Sequence, residues 1–143
     1  MTARLRRQAM RGAALMEFAL AWPVALLVVV GCVELSVWGA EAYAARGAAL
    51  AAARAGSVVG ADPRAAANVG LRALEPTLVG VRAAAWCPGQ SGSPPEVWVC
   101  FNDLGPEVEV TVGGTAPALV AILGGSGLPL HADVVLQKEA FAP

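Results

Sequence analysis

Charge and apolar residues are divided unevenly along this chain of 143 residues. Arg4, Arg6, Arg7 and Arg11 lead into an apolar run in which Glu17 is the only charge before Glu34. As a helix, the stretch from Gly12 to Val33 covers roughly 33 Å, enough to cross a hydrocarbon core of ~30 Å. Pro23 inside it removes one backbone donor and is a place for a kink. The pattern then changes without breaking: residues 34–59 are rich in alanine, contain no proline and carry spaced charges, which predicts that the helix continues. Asp62-Pro63 supplies an N-cap followed by proline at the first helical position, so a second helix is expected over Pro63–Leu74, ending before Pro76. Beyond Thr77 the period shortens to two. Thr77–Ala85 and Glu96–Phe101 read as strands joined by a loop holding Pro88, Gly89, Gly92, Pro94 and Pro95. Glu107–Val112 alternates Glu-Val-Glu-Val-Thr-Val and reads as a half-buried strand closed by Gly113-Gly114. Ala116–Leu123 reads as a short apolar helix or turn, and Leu130–Lys138 as a last strand after Gly124, Gly125 and Gly127. The expected fold is α+β: a long N-terminal helix, a short second helix and a small antiparallel sheet.

Within the alanine-rich part, Ala44, Ala48, Ala51, Ala52 and Ala55 form a stripe at helical spacing. It suits packing on the chain's own domain or close approach to neighbouring helices. Trp38 and Tyr43 fall where an interfacial aromatic belt would lie.

Charge sharpens this picture. Four of the ten Lys and Arg residues precede Gly12, and the remainder of the chain is net acidic, so no basic surface for nucleic acid is expected. The arginines read instead as a topology signal that keeps the N-terminus in the cytoplasm and sends the C-terminus outward. Cys87 and Cys100 flank the Pro/Gly loop in the exported part. A disulfide across that loop is the natural reading in an oxidising compartment, against the alternative of two reduced, buried thiols. Cys32 sits in the apolar helix as a small apolar residue.

The run Arg11-Gly12-Ala13-Ala14-Leu15-Met16-Glu17-Phe18 resembles the processing site of type IV prepilins, in which cleavage follows the glycine and glutamate is fifth in the mature chain. Glu17 is fifth counted from Ala13. More closely, RGAALMEFALAWPVALLVVVGCVE is similar to the opening of TadE-like pseudopilins of the tight-adherence (Tad, Flp) pilus machinery, and AEAYAARGAALAAARAG resembles that family's alanine-rich segment. The resemblance covers about residues 11–56. It implies a basic leader over residues 1–12, a long helix over 13–59 with about 13–33 in the membrane, and an extracytoplasmic α+β domain over 60–143. It also implies a bitopic inner-membrane protein that aids assembly of a thin pilus in adhesion or secretion. Its implied partners are a prepilin peptidase, other pilins or pseudopilins, and the inner-membrane platform. Physical chemistry makes the motif intelligible. Gly12 lets the backbone extend into a protease cleft without a side-chain clash. The new amine would be positive at neutral pH. Glu17 of one subunit could pair with a neighbour's amine and offset the burial of both charges; the plainer reading places Glu17 at headgroup level in an ordinary anchor.

Two other readings compete. Val29-Val30-Gly31-Cys32 approximates a lipobox, which would make Cys32 the lipid-modified first residue of an anchored protein with an unknown binding role. Cleavage near Ala40-Glu41-Ala42 would release a secreted domain. An enzyme is not expected, and neither a cofactor nor a metal is. His131 is the one histidine and reads as a strand surface residue. Asp103 and Glu107 fit no EF-hand spacing, and Gly124-Gly125-Ser126-Gly127 lacks the Lys-Ser/Thr of a phosphate loop.

Overall fold

The computed structural model describes residues 2–117 and 127–139, with side chains from Met16 onward. Helix α1 runs Thr2–Gly56 and passes through Pro23 without interruption. Two compact units divide it: Met1–Ser36 and Val37–Pro143.

In the first unit, α1 is long and apolar enough to cross a membrane, and none of its apolar window is buried by the protein. Phe18 and Trp22, one turn apart, stack with ring centroids 5.8 Å apart. Ser36 donates its hydroxyl to the Cys32 carbonyl at 2.7 Å, a bond back along the helix that satisfies a hydroxyl otherwise facing apolar surroundings.

The second unit is α+β. The end of α1 is followed by α2 (Pro63–Leu74), a single 3-10 turn (Glu75–Thr77), and strands β1 (Ala83–Ala85), β2 (Val97–Asp103), β3 (Glu107–Ala116) and β4 (Leu128–Gln137), in spatial order β1-β2-β3-β4. α1 stops at Gly56, three residues short of the expected 59, because Ser57 closes it with N–H to Ala53 C=O and hydroxyl to Arg54 C=O. Gly60, at φ 82°, then turns the chain toward Asp62. The Asp62 carboxylate accepts the Arg64 N–H at 3.0 Å and Pro63 opens α2, as expected.

The sheet departs from the expected antiparallel arrangement and is mixed. β2–β3 and β3–β4 are antiparallel, but β1 pairs parallel to β2, Ala83 opposite Val97 and Ala85 opposite Val99. The chain leaving β1 continues alongside β2, with Trp86 N–H bonded to Val99 C=O, before the Pro/Gly loop returns it to the start of β2. A hairpin turn cannot make that return; the long loop can. β1 is also shorter than the expected Thr77–Ala85, since Thr77 belongs to the 3-10 turn and Gly80, at φ 78°, breaks the extended backbone before Ala83. Gly113-Gly114 does not end β3, which runs on to Ala116. The indole of Trp98 lies across Gly113, where a Cβ would collide with its six-membered ring, so glycine here permits a close approach. The expected element Ala116–Leu123 falls, apart from Ala116 and Pro117, outside the described residues, as do Gly124, Gly125 and Ser126.

The core forms where the alanine face of α1 meets the valine face of the sheet. Ala45, Ala48, Ala49, Ala52 and Ala53 recur at the three-and-four spacing of one helical face and are fully or nearly fully buried. Opposite them lie Val97 and Val99 of β2 and Val108, Val110 and Val112 of β3, all similarly buried, with Leu130 and Ala132 of β4. The stripe therefore packs on the chain's own domain through Ala48 and Ala52, while Ala44, Ala51 and Ala55 lie at its margins. α2 crosses at Gly70, where a Cβ would stand 3.0 Å from the Ala52 Cβ and 3.3 Å from the Ala48 carbonyl oxygen. Gly70→Leu should therefore overpack this crossing and destabilise the domain by roughly 1–3 kcal/mol. Denaturant unfolding followed by tryptophan fluorescence checks it, and an unchanged midpoint would contradict the packing.

Candidate processing and assembly site

Arg4, Arg6, Arg7, Arg11, Gly12 and Ala13 lie within the helical backbone of α1, and their side chains fall outside the described residues. Cleavage after Gly12 requires the helix to open locally, since proteases bind extended backbone. A glycine lowers the barrier, being about 0.5–1 kcal/mol worse than alanine inside a helix. Glu17 and Phe18 are exposed, and no described residue pairs with Glu17. A carboxylate at the centre of a membrane helix would cost about 2.5–3.5 kcal/mol on insertion scales, a cost that a charge partner or placement at the interface would offset. The described chain supplies the acid and an unburied apolar helix around it. Cys32 is exposed on the same helix as a free thiol.

On the domain side, Cys87 and Cys100 form the expected disulfide, with their Cα atoms 4.6 Å apart. It holds the Pro/Gly loop to the middle of β2, next to a groove of about 340 Å³ lined by Arg64, Asn68, Trp86, Gln90 and Phe101 among others. Trp86 packs edge-on against Trp98, centroids 5.7 Å apart.

Sequence reasoning missed two residues that tie α1 to the sheet. Trp38, expected only as a belt residue, donates its indole N–H to the Pro129 carbonyl at the start of β4, 3.1 Å away. Glu41 is 3% exposed, and its carboxylate accepts the Val79 N–H ahead of β1 at 3.4 Å. The signal was their spacing: three residues apart, they flank the buried alanine face.

His131 lies exposed on the outer face of β4, opposite Gly113. Asp103 closes the β2–β3 turn, accepting the Gly105 N–H at 2.9 Å, and is bridged by the Lys138 ammonium at 2.6 and 2.7 Å. The Lys138 bond and then the Gly105 bond hold its carboxyl below the ordinary aspartate value. Among the described residues no cluster of three or more His, Cys, Asp and Glu is placed to hold a metal ion. Compared with protein-family models, with curated proteins and with solved structures, the chain matches none.

Two outcomes follow. Peptide mapping without reduction should recover Cys87 and Cys100 linked and Cys32 alkylated, and Cys100→Ser should cost the domain about 2–4 kcal/mol. A Cys87 that alkylates without reduction would contradict the bridge. A depressed carboxyl pKa stabilises above the unfolded-state value, and that contribution is lost as pH falls through the native one. NMR titration of the Asp103 carboxyl should thus give a midpoint below 3.8, returning toward that value in Lys138→Ala.

Proposed function

We propose that this chain is a TadE-like pseudopilin: a single-pass protein of the cytoplasmic membrane, cleaved after Gly12, whose mature helix joins other pilin helices during assembly of a Tad/Flp-type pilus. The observation that carries this reading is one register. A glycine behind four arginines, an acid fifth after it and an unburied apolar helix occur in the order that such assembly requires.

The proposed mechanism is electrostatic. Cleavage converts the Ala13 amide into an ammonium group, and Glu17 of an adjacent subunit offers it a counter-charge inside the helix bundle. Each charge alone would be costly in hydrocarbon; together, with further hydrogen bonds, they offset one another. The pairing fixes the stagger between neighbouring helices, because it is satisfied at one axial offset. The arginines stay behind with the cytoplasmic leader. The domain from Val37 onward is held on the other side of the membrane, the compartment in which the Cys87–Cys100 disulfide is stable.

N-terminal sequencing of the membrane-extracted mature protein should read from Ala13, and Gly12→Arg should block cleavage by crowding the protease cleft. A mature chain beginning at Cys32 would instead establish lipid anchoring. Glu17→Ala should insert normally, since removing an acid lowers the insertion cost. It should nevertheless lose assembly, as a neighbour's buried amine left unpaired costs about 3–5 kcal/mol. Glu17→Gln should recover little. The measurement is pilus surface yield, or co-purification with other pilins, at matched membrane levels. Wild-type assembly by Glu17→Ala would reduce Glu17 to an interfacial residue and overturn the mechanism.

A further inference from the structure

We propose that the outer edge of β4 accepts an extended segment of another protein, which adds to the sheet as a fifth strand. The two sheet edges are built differently. β1 has three residues and is flanked by the disulfide-bonded loop. β4 has ten, with proline only near its start and no lysine until Lys138 beyond its end. Natural sheets usually blunt an exposed edge by shortening it, bulging it or placing lysine or proline along it. Charge and cover serve the same end, and the middle of β4 has only the exposed Asp133 carboxylate for this purpose.

The direction of the unpaired groups follows from the bonds at the two ends. The Pro129 carbonyl faces away from β3, because Trp38 bonds to it there, and the Glu139 N–H faces the same way, bonded to the Ser57 carbonyl. Backbone direction alternates along an antiparallel strand, so His131, Asp133, Val135 and Gln137 also present N–H and C=O outward. Among the described residues, none bonds to those groups. The open window is fenced at one end by Trp38. At the other end Val58 already pairs with Glu139 through an isolated parallel bridge. That edge thus takes extended backbone from its own chain, and beyond this contact no other described residue pairs with it.

Donors and acceptors at a strand repeat are matched by another extended backbone. A cavity of about 360 Å³, lined by Ala42, Arg46, His131, Ala132 and Asp133, lies beside the edge and leaves its first outward groups open to a partner's side chain. Charge narrows the occupant. Arg46 has no ion pair among the described residues, so the incoming strand should carry a carboxylate on its α1-facing side. Asp133, which takes only a long hydroxyl bond from Thr111 at 3.3 Å, should face a basic or hydroxyl side chain on the other side. A second copy of β4 does not suit: antiparallel pairing centred on Asp133 sets two carboxylates opposite each other, and Leu128–Gln137 holds no lysine or arginine to answer them.

The test uses the full-length protein in detergent micelles. The probe is a capped peptide of about seven residues, alternating threonine and valine, with one glutamate on one face and one lysine on the other. In amide hydrogen exchange, saturating peptide should slow His131, Asp133 and Val135 by about tenfold or more, the effect of a gained hydrogen bond. Ala132 and Val134, already bonded to β3, should not change. A peptide N-methylated at alternate positions should have no effect. Asp133→Pro removes an outward N–H but no bond to β3; it should weaken binding about tenfold with the Cys87–Cys100 disulfide still formed. Three results would each overturn the proposal: no slowing at the outward amides, equal slowing with the N-methylated peptide, or slowing that rises with protein concentration alone, which would mean that copies pair with each other. Since the test requires neither leader cleavage nor a pilus, its failure is distinct from failure of the pseudopilin reading.

Discussion

The domain depends on how closely one helix can lie on one sheet. Alanine is the only side chain on the buried face of α1 between residues 45 and 53, so the helix backbone sits almost directly on the valines of β2 and β3. Such a core is thin. It gains little area per residue from the helix, and the balance comes from valines, each contributing about 1.5 kcal/mol or more when fully buried. Because a thin core has no slack, α2 crosses α1 with a glycine, Gly70. The Trp38 indole N–H, donated to Pro129 C=O at β4, and the Glu41 carboxylate, accepting Val79 N–H ahead of β1, hold the helix in that position. Small residues that read as a helix-packing device are thus used inside the domain.

α1 consequently has two chemistries on one continuous backbone. From Phe18 to Val33 its side chains are apolar and largely unburied, suited to lipid or to other helices. From Val37 the same helix is the floor of a folded domain.

Much of this was readable from residues alone. The limits of α2 follow from Asp62, Pro63 and Pro76, which act locally, and the strand from Glu107 announces its buried face by alternation. The Cys87–Cys100 bridge was readable because its loop is short and rich in turn residues. Other features needed non-local information. A parallel β1–β2 pair and a hairpin contain the same residues in the same order, and the direction is decided by where the loop returns. The phase of the alanine stripe was obscured because nearly every position looks alike; Arg46 and Arg54, which mark the exposed side, hold the clue. At the proposed processing site the motif is local and visible, while no group that answers Glu17 lies among the described residues.

Gly113 also acts on the states the sheet must avoid. A slip of β3 against β2 by one residue would turn the valines outward and is already excluded by their burial. The dangerous error is a slip of two, which keeps every valine inside. In the native register Trp98 faces Gly113; shifted by two it would face Thr111 or Thr115 instead, each with a branched Cβ where the indole now lies. The missing side chain therefore works as a register key, making one alignment of an otherwise repetitive strand sterically open and its nearest look-alikes closed.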